Sequence, residues 1–296
     1  RYTANVVQNT GTGRLTIRYD FEGHTVLHAK LYTDGLGPHC YRVSRALWEG
    51  GFGADSRYRV PEVVAFFPEH NFLVMRAVPG VPLVTAFEDP SMDLVAGSRE
   101  AGRWLAALHR SSLRIGPVEP DWDSLKLFRV CVRLLKASAA VPGQLRPMLD
   151  LLEVLRERIR HLPPCRAIVQ THGRYHHDHV FIGPETTAVI DLDRCRPADP
   201  SKDVAEFIRV LRSHAFRLGY SSERALEAVR AFLSEYLAQV PETAATLSCY
   251  LSAFSLLSFL GAMRKPTQGE DGAARIIDFY RQEIEQAESA AAEMGI

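Results

Sequence analysis

The chain has 296 residues, of which 46% are hydrophobic and 24% are charged, values that are ordinary for a globular protein long enough to build two lobes with separate cores. Its 35 Lys and Arg residues balance 35 Asp and Glu residues, which excludes a broad basic surface for nucleic acid. Five scattered cysteines without a C-x-x-C pair indicate a reduced, cytoplasmic protein, and no apolar run approaches the roughly 18–20 residues of a membrane span.

The first predicted elements are two β-strands within residues 5–20, where polar and apolar residues alternate. The sequence Asn-Thr-Gly-Thr-Gly interrupts the alternation. Its glycines, Gly11 and Gly13, would let backbone amides come close to a ligand phosphate. An ordinary hairpin turn explains the same two glycines equally well.

The next predicted strand, Thr25–Tyr32, contains a lysine, Lys30. An ammonium group behind a glycine-rich hairpin suits nucleotide phosphates, whereas a lysine on an edge strand would simply face water. A short helix is predicted at Tyr41–Trp48. It carries no acid in the turn that faces the strand, so Glu49 at its end is the candidate partner of Lys30.

A second hairpin is predicted from two strand-like runs, Pro61–Phe67 and Asn71–Val78, and it ends at Pro79-Gly80. The remainder of the chain is predicted to be mainly helical. The predicted helices are Ser98–Arg110, Ser124–Ala140, Leu145–Arg160, Lys202–Arg217, Ser222–Gln239, Glu242–Met263 and Asp271–Glu293.

Between these helices lies a segment rich in Asp and His, Thr171–Asp203. A polar run, His172 to His179, precedes a strand-like run that ends on Asp191, and further acids open the following helix. Such a density of Asp and His between apolar runs predicts a metal or phosphate site at the ends of two short strands. The alternative is a solvated hairpin tip.

Three parts of this segment resemble the aminoglycoside phosphotransferase and choline kinase family. His172-Gly173, Ile190-Asp191 and Ala198–Ala205 correspond to its motifs H-G-D-x-x-x-x-N, I-D and G-D-P-x-x-D-L-A. Two positions depart from the family pattern, because Arg174 stands at the catalytic Asp and His179 at the metal-binding Asn.

The resemblance implies a two-lobed α+β fold of the protein-kinase type. A small antiparallel β-sheet lobe would span residues 1–77, and a larger, mostly helical lobe would span residues 78–296, with the catalytic-loop-like segment at 171–203. It also implies ATP-dependent phosphorylation of a hydroxyl on a small molecule or on a peptide Ser or Thr.

The resemblance further assigns roles to site residues. Lys30 would bind nucleotide phosphates with the help of Gly11 and Gly13, and Asp191 would hold Mg²⁺, or Mn²⁺, together with His179. The adenine pocket would be formed by Met75 as an apolar wall and by the backbone of Arg76 and Val78.

Arg174 leaves the chemical step open, because a guanidinium cannot accept a proton. The nearest acids that could serve as the base are Asp178 and Asp193, and Asp193 could also bind the metal. His172 and Asp203 would brace the loop. Arg174 itself could bind a phosphate or carboxylate, swing to solvent, or pair with a nearby acid: Asp178, Asp191 or Asp193.

Two function classes therefore remain. One is an active kinase for a small molecule or peptide. The other is a catalytically degenerate pseudokinase that serves as a binding or scaffold subunit, for example beside a partner enzyme in peptide or natural-product maturation. Neither class requires nucleic acid or a membrane.

Overall fold

The computed structural model describes residues 1–9, 13–23, 25–119 and 167–247, together with the single positions 153, 157, 250, 251, 254, 278, 279 and 282. Apart from such single positions, the helices predicted at Ser124–Ala140, Leu145–Arg160 and Asp271–Glu293 lie outside the described residues. The same applies to the helix predicted at Glu242–Met263 beyond residue 247.

The first part of the chain forms a five-stranded antiparallel sheet. Its strands are β1 (Tyr2–Asn9), β2 (Arg14–Phe21), β3 (Val26–Tyr32), β5 (Val63–Phe67) and β6 (Phe72–Arg76). A short strand that lies between β3 and β5 in the chain, β4 (Tyr58–Arg59), belongs to a different sheet. The order in the sheet is β1-β2-β3-β6-β5. Strand β3 is therefore central, and Lys30 pairs with Thr16 on one side and Leu73 on the other. The edge-strand interpretation of Lys30 is wrong.

Helix α1 (Gly37–Leu47) packs against this sheet and begins four residues before the predicted start. A proline in its first turn fits there because the first helical amides have no intrahelical partner. Tyr41 stacks on Phe66 of β5 with ring centroids 4.8 Å apart, which fixes the helix on the sheet. Beyond α1 the chain continues in a π-type turn, Trp48–Phe52.

A second helix, α2 (Leu94–Arg110), forms the centre of the other lobe. Its N-cap is Asp93, whose carboxylate accepts the amides of Val95 and Ala96, so the helix starts earlier than predicted. Trp104 is fully buried and stacks on Tyr175, with ring planes 11° apart. The start of α2 was signalled by the cap residue rather than by the apolar stripe.

Five short strands frame the polar segment; the first precedes α2 in the chain and the other four follow it. They are β7 (Val81–Pro82), β8 (Val169–Thr171), β9 (Val180–Ile182), β10 (Thr187–Val189) and β11 (Arg196–Ala198). One sheet has the order β4-β10-β9-β7, with β4 parallel to β10, and β8 pairs with β11. Because β4 precedes β5 in the chain, this sheet ties the two parts of the molecule together.

Two long helices complete the described part, α3 (Ser201–Leu218) and α4 (Ser222–Leu237). Phe207 of α3 stacks on Phe232 of α4 with ring centroids 4.1 Å apart, inside a core shared with α2. The predicted α+β fold, an antiparallel sheet followed by a mainly helical lobe, is confirmed. The boundary after residue 77 stays a prediction. No described helix has both the length and the apolar character needed to cross a membrane.

Candidate functional site

Lys30 and two acids from the far end of the chain meet in a cleft between β3 and the segment after β10. The ammonium nitrogen Nζ of Lys30 lies 2.5 Å from Oδ1 of Asp191 and 3.1 Å from Oδ1 of Asp193. Burial alone would raise the pKa of Asp191, but the positive charge of Lys30 outweighs it and lowers that pKa below its ordinary value. The sequence segments that were predicted to share a site therefore lie in contact.

Asp191 has an unusual backbone conformation. Its φ of 66° and ψ of 55° lie in the left-handed region, where among the described non-glycine residues only Asn71 also has a positive φ. Such a conformation costs about 1–3 kcal/mol and persists where the surrounding structure enforces it. Here it lies between the buried strand β10 and a 3-10 turn, Leu192–Arg194. Strain of this kind is typical of functional sites.

Asp193 is surrounded by hydrogen-bond donors. Besides Lys30, it accepts bonds from the Tyr32 hydroxyl at 2.8 Å, from the Arg14 guanidinium at 3.1 Å and from the Cys40 thiol at 3.5 Å. Burial raises the pKa of Cys40 to about 12, so this thiol stays protonated and can donate. With only 4% of its surface exposed, Asp193 is enclosed by these donors and anchors the cations of the site.

The pairing of Lys30 with Glu49 is wrong. Glu49 is exposed at the end of α1 and forms an ion pair with Arg45 one turn earlier. In the structure Asp193 supplies the negative charge that was sought on α1. This acid follows Asp191 by two residues, and the intervening 3-10 turn directs both carboxylates toward Lys30.

Sequence reasoning missed Arg14, Tyr32 and Cys40. A signal for two of them was present in the strand alternation, because Tyr32 follows Lys30 by two residues and so lies on the same face of β3. Arg14 is the cross-strand partner of Tyr32 in β2. Cys40 had no local signal, since only the packing of α1 brings its thiol to Asp193.

The glycine-rich turn is described only in part. Gly11 lies outside the described residues, whereas Gly13 has a φ of 103° and its carbonyl accepts the Thr33 amide at 2.8 Å. A Cβ atom at Gly13 would lie 2.4 Å from Oγ1 of Thr33, so both the backbone and the space require glycine there. Contact of this turn with a phosphate stays a prediction.

The predicted adenine pocket lies at the end of β6. Met75 is buried, whereas the side chain of Arg76 is exposed and pairs with Glu62 at 2.6 Å. The Arg76 amide already donates to the Glu62 carbonyl at 2.9 Å, within the sheet. Val78 follows β6 and is half-buried. The roles of these three residues toward adenine stay predictions.

The loop after β8 is braced from beneath by Asp203 of α3. Its carboxylate accepts the amides of His172 at 2.6 Å and Gly173 at 2.8 Å, and it contacts the ring of His109 at 3.3 Å. Burial raises the pKa of Asp203, but the bond from His109 and the other donors outweigh it, so the net change is downward. The ring of His172 donates from Nε2 to the Ile190 carbonyl at 2.9 Å, which ties the loop to the residue before Asp191.

Arg174 forms no ion pair with the acids that were considered as its partners. Its side chain is exposed and forms no ion pair with a carboxylate of the described residues. Asp178 instead contacts His176, Asp191 contacts Lys30, and Asp193 is saturated by its donors. Of the alternatives for Arg174, pairing with one of these acids is not observed, and its exposed positive charge is available to a ligand.

Two imidazoles lie against each other beside Asp191, with their ring planes tilted by 34°. The ring centroids of His176 and His179 are 3.8 Å apart, and Nε2 of His179 lies 3.5 Å from Oδ2 of Asp191. Burial, with neighbouring positive groups, lowers the pKa of His176 to about 2 and that of His179 to about 3. Both rings are therefore neutral at physiological pH and too weakly basic to serve as efficient proton acceptors.

Comparison with known proteins gives one family and a set of similar folds. The model of the phosphotransferase enzyme family matches residues 38–247. No curated protein sequence matches the chain. Several solved structures have a similar fold, all at low sequence identity to this chain.

Amicoumacin kinase hAmiN, in complex with AMP-PNP, Ca²⁺ and Ami, has a TM-score of 0.61 and 14% identity, covering 96% of this chain and 88% of its own. A choline/ethanolamine kinase family protein from Mesorhizobium loti has a TM-score of 0.62 and 15% identity, and the match covers 99% of this chain and 92% of that protein. A thermostable mutant of an aminoglycoside phosphotransferase, in complex with ADP and hygromycin B, has a TM-score of 0.62 and 15% identity. That match covers 96% of this chain and 93% of the other protein. The predicted kinase-like fold is confirmed.

Proposed function

The chain belongs to the phosphotransferase enzyme family, and we propose that it transfers the γ-phosphoryl group of ATP to a hydroxyl on a small molecule or on a peptide Ser or Thr. The observation that carries the proposal is the contact of Lys30 with Asp191 at 2.5 Å and with Asp193 at 3.1 Å. Phosphoryl transfer depends mainly on positioning and charge stabilisation, and this cluster supplies fixed charges of both signs. The nucleotide complexes of similar folds support ATP as the donor.

Two cations are proposed to bind the nucleotide phosphates, Lys30 and Arg14. Both are anchored by Asp193, and Arg14 directly follows the glycine-rich turn at Gly13. Cations that are already held in position lose little side-chain freedom when a phosphate arrives. Adenine would lie at the end of β6, against Met75 and the backbone of Arg76 and Val78.

A divalent ion that accompanies ATP would be held by Asp191 and His179, whose facing atoms are 3.5 Å apart. Neighbouring ligands of one octahedral ion, each about 2.1 Å away, are separated by roughly 3.0 Å, so a movement of about 0.5 Å would bring the pair onto a shared ion. When bound, such an ion neutralises charge on the phosphates. An imidazole beside a carboxylate suits Mn²⁺ better than Mg²⁺, which prefers oxygen ligands.

In the proposed reaction the acceptor oxygen bonds to the γ-phosphorus, the bond from that phosphorus to the β–γ bridging oxygen breaks, and ADP leaves. The acceptor proton would pass to Asp178, whose side chain is 48% exposed. Asp193 is a poor candidate for this proton because its oxygens are occupied by donors. Arg174, exposed beside this loop, would contact an anionic group of the donor or acceptor.

A second candidate function is nucleotide binding without transfer, in a partner subunit of another enzyme. The observation that favours it is Arg174 at the position of the family's catalytic Asp, beside two imidazoles of depressed pKa. In either function a reducing, cytoplasmic location is proposed. The free, buried thiols of Cys40 and Cys195 support it.

Nucleotide binding is tested by thermal shift and calorimetry with ATP plus Mn²⁺, ATP plus Mg²⁺ and metal-free ATP. Ligand at 100 times its Kd should stabilise the parent by about 2.7 kcal/mol. Lys30→Ala and Asp191→Ala should abolish this shift, whereas Arg45→Ala, which removes an exposed cation outside the cleft, should retain it. A full shift in both cleft variants would contradict the proposal. ADP formation with candidate acceptors then separates transfer from binding alone.

A further inference from the structure

A tight turn in the loop brings together two imidazoles and a carboxylate. The turn spans residues 176–179 and is closed by the amide of His179, which donates to the carbonyl of His176 at 2.9 Å. A ring nitrogen of His176, a ring nitrogen of His179 and a carboxylate oxygen of Asp178 lie within 4.8 Å of one another. We call these three residues the loop cluster.

The two imidazoles of the loop cluster use Nδ1 differently. In His179, Nδ1 lies 3.2 Å from the Arg174 carbonyl, which can only accept, so Nδ1 carries the proton and Nε2 presents a lone pair. Histidines that bind metals typically donate their other ring nitrogen to a carbonyl or carboxylate in this way, which fixes the ring orientation. In His176, Nδ1 faces the carboxylate of Asp178, so without a proton on Nδ1 this nitrogen and a carboxylate oxygen can bind the same ion.

The immediate surroundings of the loop cluster supply further negative charge. Nε2 of His179 faces Oδ2 of Asp191 at 3.5 Å, so a lone pair and a carboxylate oxygen oppose each other. A cation near this nitrogen would relieve that opposition. With two nitrogen donors and one or two carboxylates, the donor set suits a borderline divalent ion such as Zn²⁺ or Co²⁺ rather than Mg²⁺ or Ca²⁺.

We infer that the loop cluster of His176, Asp178 and His179 binds a divalent transition-metal ion in the absence of nucleotide. Three protein ligands leave a coordination position open, as in zinc sites that also bind a small ligand. One consequence rests on the proposed function. The ion would occupy Asp178, the proposed proton acceptor, and His179, a proposed ligand of the nucleotide metal, so Zn²⁺ would inhibit transfer.

The site is tested with the tag-free full chain after dialysis against a chelator. Co²⁺ binding without nucleotide is followed by visible absorption and calorimetry, and Zn²⁺ is added in competition. One ion per chain is expected. Asp178→Asn and His179→Asn should each weaken binding at least tenfold, the loss expected even for partners outside the metal shell.

The matched control is His177→Gln. His177 lies in the same turn but its Nε2 is 2.9 Å from Nδ1 of His214, outside the loop cluster, so binding should equal that of the parent. Because His177 is buried, His70→Gln in an exposed turn serves as a second control. No Co²⁺ binding in the parent, or equal binding in the Asp178 and His179 variants, would overturn the site. Since no nucleotide is present, such a failure is distinct from a failure to bind ATP.

Discussion

Replacing Asp203 with Asn tests whether one buried carboxylate holds the loop that carries the candidate site. The side chain of Asp203 is fully buried and contacts three donors, the amides of His172 and Gly173 and the ring of His109. Asn has the same shape, but only one of its two terminal atoms can accept. At least one buried donor would therefore face an NH₂ group.

The expected loss of stability follows from these contacts. A hydrogen bond to a charged group is worth roughly 1.5–3 kcal/mol, and removing one partner of a buried charged network typically costs about 3–5 kcal/mol. A fall in the free energy of unfolding of about 3–5 kcal/mol is therefore expected for Asp203→Asn. At about 2–4 °C per kcal/mol, this corresponds to roughly 6–20 °C in Tm.

The matched control is Asp199→Asn, near the start of the same helix. Asp199 is also mostly buried, but its carboxylate accepts a single amide, that of Ser201 at 2.8 Å, and Asn can make the same bond. A loss below about 1 kcal/mol is expected for the control. Urea unfolding followed by circular dichroism measures both variants. Equal losses would show that Asp203 does not brace the loop.

The pH dependence gives a second check on Asp203. Its pKa is lowered in the folded protein from an ordinary value of 3.8, so the carboxylate contributes its full stabilisation above that value. The contribution is lost as the pH falls through the lower folded pKa. The difference in stability between the parent and Asp203→Asn should therefore shrink below about pH 4. A difference that stays constant into acid would refute the assignment.

Two further outcomes concern the departures from the family motif. His179→Asn replaces a ring nitrogen with an amide oxygen beside Asp191, so the affinity for ATP measured with Mg²⁺ should rise relative to that measured with Mn²⁺ in calorimetry. An unchanged ratio of the two affinities would show that His179 does not bind the ion. Arg174→Asp reverses an exposed charge that has no described carboxylate partner, so affinity for metal-free ATP should fall at least tenfold, or about 1.4 kcal/mol. Faster phosphoryl transfer in that variant would instead identify the position as a damaged base.

Sequence patterns predicted the elements that carry the site because those signals are local. Alternation located β3 and Lys30, and the motif Ile190-Asp191 located the acid that the structure finds 2.5 Å from that lysine. The starts of α1 and α2 were predicted four residues late, since the apolar stripe was followed instead of the caps. Pro38 and Asp93 are the residues that mark those starts.

The partners of the charged groups could not be predicted in the same way. Asp193 and Tyr32 are 161 residues apart in the chain, so their contact depends on the assembly of the whole cleft. Arg174 does not pair with Asp178, four residues on, because Asp178 contacts His176 within the turn. Which ion pairs form depends on all the charges that lie nearby in the folded structure, and separation along the sequence does not reveal this.

The charges of the assembled cleft explain why an acid in place of Arg174 should weaken ATP binding. Lys30, Arg14 and Arg174 contribute three positive charges, and four acids contribute negative ones: Asp178, Asp191, Asp193 and Asp34, which pairs with Arg14 at 2.9 Å. The net charge of these groups is −1, and an aspartate in place of Arg174 would make it −3. Two unit charges 5 Å apart interact by about 3 kcal/mol at an effective dielectric constant of 20, so this difference is large for a polyanion. A cleft with a net charge of −1 needs less charge neutralisation from a metal ion, and it should therefore retain affinity for metal-free ATP that a cleft with a net charge of −3 would lose.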